Sequence, residues 1–236
     1  YRAKTIIKLI SNVSKVINND PDVSPYLKFC FLPNYCVSVA QQIIPASDTS
    51  QHISTAGTEA SGTSNMKFVM NGGLIVGTMD GANVEICEEA GGQQNNFIFG
   101  ALEEELPGIL AKAKEGHYPI DARLQKIFDA IRQGRFSDGD AKFTEEMCPM
   151  IEMLSNKTAA GTWDGDKYLV VHDFPSYLDC QARVDRDYAD KKAFVARSIQ
   201  AVGSTGKFST DRSMMDYARQ VWDIKQCARP APKIVK

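Results

Sequence analysis

Short apolar runs, each long enough for one strand and no more, alternate with helix-length patterns through the first hundred residues. Residues 28–32 (KFCFL) form one such run, closed by Pro33-Asn34, and residues 37–44 then read as a short helix ended by Pro45. Leu74-Ile75-Val76-Gly77-Thr78 is a second run, closed by Asp80-Gly81, and residues 83–90 read as a helix stopped by Gly91-Gly92. Residues 96–100 (NFIFG) are a third, with Phe97 and Phe99 expected in the core. Strands separated by helices predict an α/β fold, a Rossmann-like parallel sheet with helices on its faces. Ligands of such sheets gather at the carboxyl ends of the strands.

From about residue 101 the texture becomes helical. Residues 102–116, 122–134 and 142–156 each carry helical periodicity with charged outer faces. Residues 156–167 read as a Gly/Thr/Asp loop, 168–171 (YLVV) as a last strand, and 174–201 as charged helix with Pro175 near its start. Met214, Ala218, Val221 and Trp222 make a stripe at i, i+4, i+7 and i+8, and Tyr217 and Trp222 are expected to pack against neighbours. Residues 229–233 (RPAPK) read as a tail. The chain therefore divides into an α/β sheet part, 1–100, and a mainly helical part, 101–236.

Composition excludes several classes. With 236 residues, 43% hydrophobic, 24% charged and a net charge of −2, the chain has ordinary globular content. Nothing in that balance calls for nucleic acid or an acidic membrane surface, and no apolar run reaches the length of a membrane span. Amphipathic helix begins directly after Tyr1, as expected of a fragment, so the lack of a leader says nothing about the parent protein. The six cysteines (30, 36, 87, 148, 180 and 227) show no CxxC spacing and read as reduced thiols. His52, His117 and His172 have no partner at zinc-finger spacing.

The segment with chemistry in it is residues 55–68, TAGTEASGTSNMKF. It is small and polar, then turns helical, so Gly62, Thr63 and Ser64 stand at a helix start. There the first N–H groups lack partners and the helix dipole is positive, which suits a phosphate. Lys67 follows Thr63 by four residues, on the same face and about one turn, roughly 6 Å, up the helix. A phosphate and an aldehyde on one small ring span a similar distance, and a lysine imine is the expected attachment of pyridoxal phosphate. Spacing alone leaves two other readings open: a simple helix cap with a solvated lysine, and a nucleotide phosphate. The GxxxxGK[ST] loop is absent, and residues 203–209 (GSTGKFS) have the wrong spacing for it. Residues 80–85 (DGANVE) lack the alternating acids of a calcium loop and read as a tight turn, an Asn N-cap and a helix.

Residues 59–67, EASGTSNMK, resemble the pyridoxal-phosphate signature of the α-glucan (glycogen, starch and maltodextrin) phosphorylases. Residues 51–57 (QHISTAG), 71–85 (NGGLIVGTMDGANVE), 31–40 (FLPNYCVSVA) and 206–212 (GKFSTDR) are similar to the same family, in order. The likeness runs along nearly the whole chain and is weakest between about 101 and 168. It implies a two-domain glycosyltransferase of the GT-B type, of which this chain is most of the C-terminal, cofactor-binding domain. It also implies cleavage of terminal α-1,4 bonds of an α-glucan by orthophosphate, with retention, to α-glucose 1-phosphate.

The resemblance assigns roles by position. Lys67 matches the lysine that holds pyridoxal phosphate as an imine, and the 5′-phosphate of the cofactor is the acid and base. Backbone amides of Gly62, Thr63 and Ser64 match positions that bind phosphate. Glu59, with the backbone at Ala60, Ser61 and Gly62, matches positions that hold glucose hydroxyls. Tyr35, Cys36, Ala40 and His52 fall near the cofactor. Cys36 departs from the arginine of animal-type enzymes, and Ser64 replaces a glycine of some members while keeping its N–H. The family's basic residues for the substrate phosphate lie upstream, as do its glucan groove and homodimer contacts, so the fragment alone is expected to be inactive. The implied compartment is cytoplasmic, with a plastid as the alternative. Rival readings are a cofactor-free nucleotide-sugar transferase of the same fold, a non-catalytic glucan- or partner-binding fragment, and a pyridoxal-phosphate enzyme of another fold.

Overall fold

The computed structural model describes residues 2–90, 92–115, 117–155, 165–225 and 227. Gly91, the expected tail at 229–233 and residues 156–164 of the expected loop lie outside the described residues. In chain order the elements are α1 (Arg2–Asn19), α2 (Val37–Ile43), β1 (Thr49–His52), α3 (Ser64–Met70), β2 (Leu74–Gly77), α4 (Asn83–Glu89) and β3 (Phe97–Ile98). Then come α5 (Leu106–Lys114), α6 (Ala122–Arg132), α7 (Ala141–Leu154), α8 (Val170–Ala189), α9 (Lys191–Gly203) and α10 (Thr210–Gln220).

The α/β expectation holds. The sheet has the order β1-β2-β3 with both pairs parallel, Ser50 opposite Ile75 and Val76 opposite Phe97. All four residues of β2 are buried, as a central parallel strand covered on both faces requires. Leu74, Ile75 and Val76 pack with Val69 of α3, Ile86 of α4, Phe97 of β3, Cys180 of α8, and Phe194 and Ala201 of α9. Phe99 is half-buried against this core.

A second core is purely helical. Leu124, Phe128 and Ile131 of α6 meet Phe143, Met147 and Ile151 of α7 and Val171 of α8. Both spacings follow one helix face. Asp121 caps α6 by accepting the Arg123 N–H at 2.8 Å, and Asp140 caps α7 by accepting the Phe143 N–H at 3.2 Å. α1 is fastened alongside: Leu9 packs on this core, Asn12 donates to the Phe136 carbonyl at 2.8 Å, and Lys8 pairs with Asp140 at 2.8 Å.

Several expectations are corrected. Residues 28–32 join no strand ladder, and Phe31 and Leu32 are exposed. The reason is local: the Asn18 side chain takes both backbone groups of Phe29, accepting its N–H at 2.9 Å and donating to its carbonyl at 2.8 Å. Residues 168–171 are not a strand. Asp166 accepts the N–H groups of Val170 and Val171 at 2.9 and 2.5 Å, so the apolar run enters α8 instead, with Leu169 left-handed at φ 52°. The long helix expected over 174–201 is two helices, broken at Asp190, which caps α9 through the Ala193 N–H at 3.0 Å. The N-cap of α4 is Ala82, and the Asn83 side chain turns inward. Tyr217 and Trp222 stack on each other, 5.5 Å between ring centroids, and both are about half exposed. β1 belongs to none of the expected strands.

Candidate active site

A cleft of about 380 Å³ opens where β1 and β2 end and α3 begins. Its described lining falls between Gln51 and Asn83 and includes His52, Glu59, Gly62, Ser64, Asn65 and Asp80. This is the carboxyl end of the sheet, where parallel α/β folds bind ligands.

The loop that leaves β1 is folded down onto the turn that follows β2. Asp80 makes the main attachment. Its Oδ1 accepts the Gly57 N–H at 3.1 Å, and its Oδ2 accepts the Thr58 N–H at 3.1 Å and the Glu59 N–H at 2.8 Å. The Ala82 N–H then donates to the Ser61 carbonyl at 2.6 Å. Gly81 permits this approach. Its φ is +52°, and a Cβ there would stand 2.6 Å from the Ser61 oxygen and 2.9 Å from Glu59 Cγ.

Two buried asparagines tie the strand ends to the helices. Asn83 Nδ2 donates to the carbonyls of His52 and Thr78 at 3.2 and 3.0 Å, while its Oδ1 accepts from Asn65 Nδ2 at 3.1 Å. Each is 3% exposed, so these bonds satisfy groups that water does not reach.

At the start of α3, Gly62 has φ +82° and Thr63 is the N-cap, with no side-chain cap bond. The N–H groups of Gly62, Thr63 and Ser64 meet no acceptor among the described residues. His52 Nε2 shares a hydrogen bond with Ser50 Oγ at 2.9 Å, and its Nδ1 lies 3.5 Å from Ser64 Oγ. Burial lowers the pKa of this ring, which keeps it neutral at neutral pH. Glu59 and Asp80 line the cleft, and no Lys or Arg is among its described lining residues.

Of the residues singled out in the sequence, the cleft lining unites His52, Glu59, Gly62 and Ser64. Ala60, Ser61 and Thr63 sit between them on the same loop and are exposed. Lys67 is exposed on α3, donates its backbone N–H to the Thr63 carbonyl at 3.3 Å, and has no ion-pair partner among the described residues. Tyr35, Cys36 and Ala40 are not part of the lining. Tyr35 is exposed, Ala40 is half-buried within α2, and Cys36 caps α2, its thiol pKa lowered by Ser38, whose Oγ is 3.2 Å away, and by the Val39 backbone. Asp80, Asn65 and Asn83 carry no site role in the sequence reading, and they hold the loop and the strand ends. The signal available for Asp80 was its place in the turn that follows the central strand of a parallel sheet.

The profile of the carbohydrate phosphorylase family matches residues 1–224. The chain belongs to that family. Among carbohydrate phosphorylases it is 49% identical to the alpha-glucan phosphorylase H isozyme of Solanum tuberosum, covering 97% of this chain and 26% of that protein. It is 46% identical to alpha-glucan phosphorylase 2, cytosolic, of Arabidopsis thaliana, with the same two coverages of 97% and 26%. Against glycogen phosphorylase 2 of Dictyostelium discoideum it is 47% identical, covering 98% of this chain and 22% of that protein. The chain spans about a quarter of the length of the curated relatives it matches. The relatives' names include both cytosolic and chloroplastic/amyloplastic forms. Among the described residues no helix is long and apolar enough to cross a membrane.

Proposed function

We propose that the parent of this chain is an α-glucan phosphorylase that cleaves terminal α-1,4 bonds of glycogen, starch or maltodextrin with orthophosphate, releasing α-glucose 1-phosphate with retention. This chain is most of its C-terminal domain in a two-domain GT-B arrangement, with 1–100 as the sheet part and 101–236 as the helical part. The observation that carries the reading is the start of α3. Three amides without an acceptor among the described residues stand one turn before a lysine with no ion-pair partner among them, at the carboxyl ends of two parallel strands.

Pyridoxal phosphate fits that donor set. Its phosphate suits the amides of Gly62, Thr63 and Ser64, and its aldehyde suits the Lys67 amine. When bound, it supplies a phosphate monoester with a second pKa of about 6, able to give and take a proton near neutral pH. The chain's own residues do the rest. Glu59 accepts hydrogen bonds from glucose hydroxyls, which charge makes strong, and the backbone at Ala60, Ser61 and Gly62 completes that sugar site. His52, whose burial favours the neutral ring, stands beside Ser64, and the family resemblance would put Tyr35, Cys36 and Ala40 near the cofactor as well. Because no Lys or Arg is among the described lining residues, the cations that neutralise orthophosphate come from the rest of the parent on this reading, as do its glucan groove and homodimer contacts. Glucan, orthophosphate and glucose 1-phosphate are thus its ligands.

The test is borohydride reduction of the full-length parent, digestion and mass spectrometry, alongside an assay of glucose 1-phosphate release from glucan. A pyridoxyl-phosphate adduct on Lys67 with phosphorolysis supports the reading. An unmodified Lys67 peptide from folded protein overturns the cofactor role and favours a cofactor-free transferase or a binding-only fragment.

A further inference from the structure

We infer that Asp80 is a positioning residue whose carboxylate sets the place of Glu59 in the sugar site; this rests on the phosphorylase reading of Glu59 given above. A carboxylate has roughly four acceptor positions. Three of those on Asp80 are taken by consecutive backbone N–H groups, Gly57 at 3.1 Å, Thr58 at 3.1 Å and Glu59 itself at 2.8 Å. A charged acceptor binds such groups more strongly than a neutral one. Asp80 therefore grips the loop at the residue that does the binding. The next residues of the same turn fix the far side of the loop: Ala82 donates to the Ser61 carbonyl at 2.6 Å, and Gly81 leaves room for Glu59 Cγ.

The Glu59 side chain has no comparable restraint of its own. It is exposed, and among the described residues it accepts only a long hydrogen bond, with Oε1 3.5 Å from the Ser61 nitrogen. Its position is thus inherited from its backbone, and its backbone is held by Asp80. A displacement of about 1 Å at a substrate-positioning group costs up to about 100-fold in rate.

The experiment is a double-mutant cycle in the full-length holoenzyme with Asp80→Asn, Glu59→Gln and the pair, reading kcat and KM for glucose 1-phosphate in the synthetic direction. Asparagine keeps one acceptor oxygen and turns an NH2 toward amide donors. The expected result is a loss of about 10- to 100-fold in kcat/KM for Asp80→Asn, with the pair within about twofold of Glu59→Gln alone. If the two losses multiply in the pair, Asp80 acts on the fold at large and the inference is wrong, while the role of Glu59 stands. If Glu59→Gln turns over like the wild type, the sugar-site reading of Glu59 fails and takes the inference with it. Monodeoxy glucose 1-phosphates give a second readout: Asp80→Asn should lose discrimination against the same hydroxyl that Glu59→Gln does, which general destabilisation would not produce. Should Asp80→Asn not fold, Asp80→Glu retains the charge with one added methylene and is put through the same cycle.

Discussion

The fold holds His52 against its usual titration. Burial favours its neutral form, so its folded-state pKa lies below the usual value of about 6.5. The unfolded chain therefore binds the proton more readily, and stability present above about pH 6.5 is lost as the pH falls through the folded pKa. The thermal midpoint of the parent should fall more between pH 7 and pH 5 in the wild type than in His52→Gln. Equal falls in the two would show that the ring is not held neutral. At this scale much of the site was legible in the sequence. Gly62, Thr63 and Ser64 sit at a helix start because small polar residues directly precede a helical run, and Glu59 belongs to the same motif. For Asp80 the sequence offered only its place after the central strand; its partners were not legible, because it acts on amides about twenty residues earlier in the chain.

Among the elements, α8 shows most clearly what a carboxylate can decide. Asp166 is 1% exposed and accepts from Val170, Val171 and the Tyr118 hydroxyl, the last at 3.0 Å. Burial pushes its pKa up despite these donors. Asp166→Ala leaves two first-turn amides and a half-buried hydroxyl without their acceptor. It should lower stability by about 1–2 kcal/mol, measured by urea denaturation; an unchanged midpoint would mean that the turn holds without its cap. The same element explains where sequence reading stopped. Val170 and Val171 look like strand because β-branched apolar residues fit sheets, yet periodicity in four residues cannot tell a buried strand from a buried first turn of helix. KFCFL has the same ambiguity, and there the Asn18 side chain takes the backbone groups that a strand would offer to a neighbour. β1 was missed for the opposite reason, since Thr-Ser-Gln-His is polar and only Ser50 is buried. Among the elements read correctly, α6 and α7 carry several apolar positions at one helical period, while β2 is a continuous apolar run closed by a turn.

For the molecule as a whole, the exposed large apolar side chains among the described residues include two runs close in sequence. Tyr26, Leu27, Phe31, Leu32 and Tyr35 form one stretch, Tyr26 being 91% exposed. Met214, Tyr217, Val221, Trp222 and Ile224 form the other along α10 and just beyond it. Patches of this kind mark surfaces that associate. Expressed as residues 1–236 alone, the chain should self-associate, bind a hydrophobic dye and release no glucose 1-phosphate from glucan. A monodisperse, dye-free and active preparation would contradict this, and light scattering with the phosphorolysis assay checks it.

Every described residue that lines the cleft falls between Gln51 and Asn83. Loop, clamp and helix start are therefore one uninterrupted stretch of coding sequence, and Lys67 of α3 falls inside it. Exchanged between two relatives with junctions before β1 and after α4, that stretch travels as a cassette, while the cations and glucan contacts that we propose for the rest of the parent stay with the recipient. Chimeras of this kind separate substrate preferences written into the cassette from those supplied by the rest of the polypeptide.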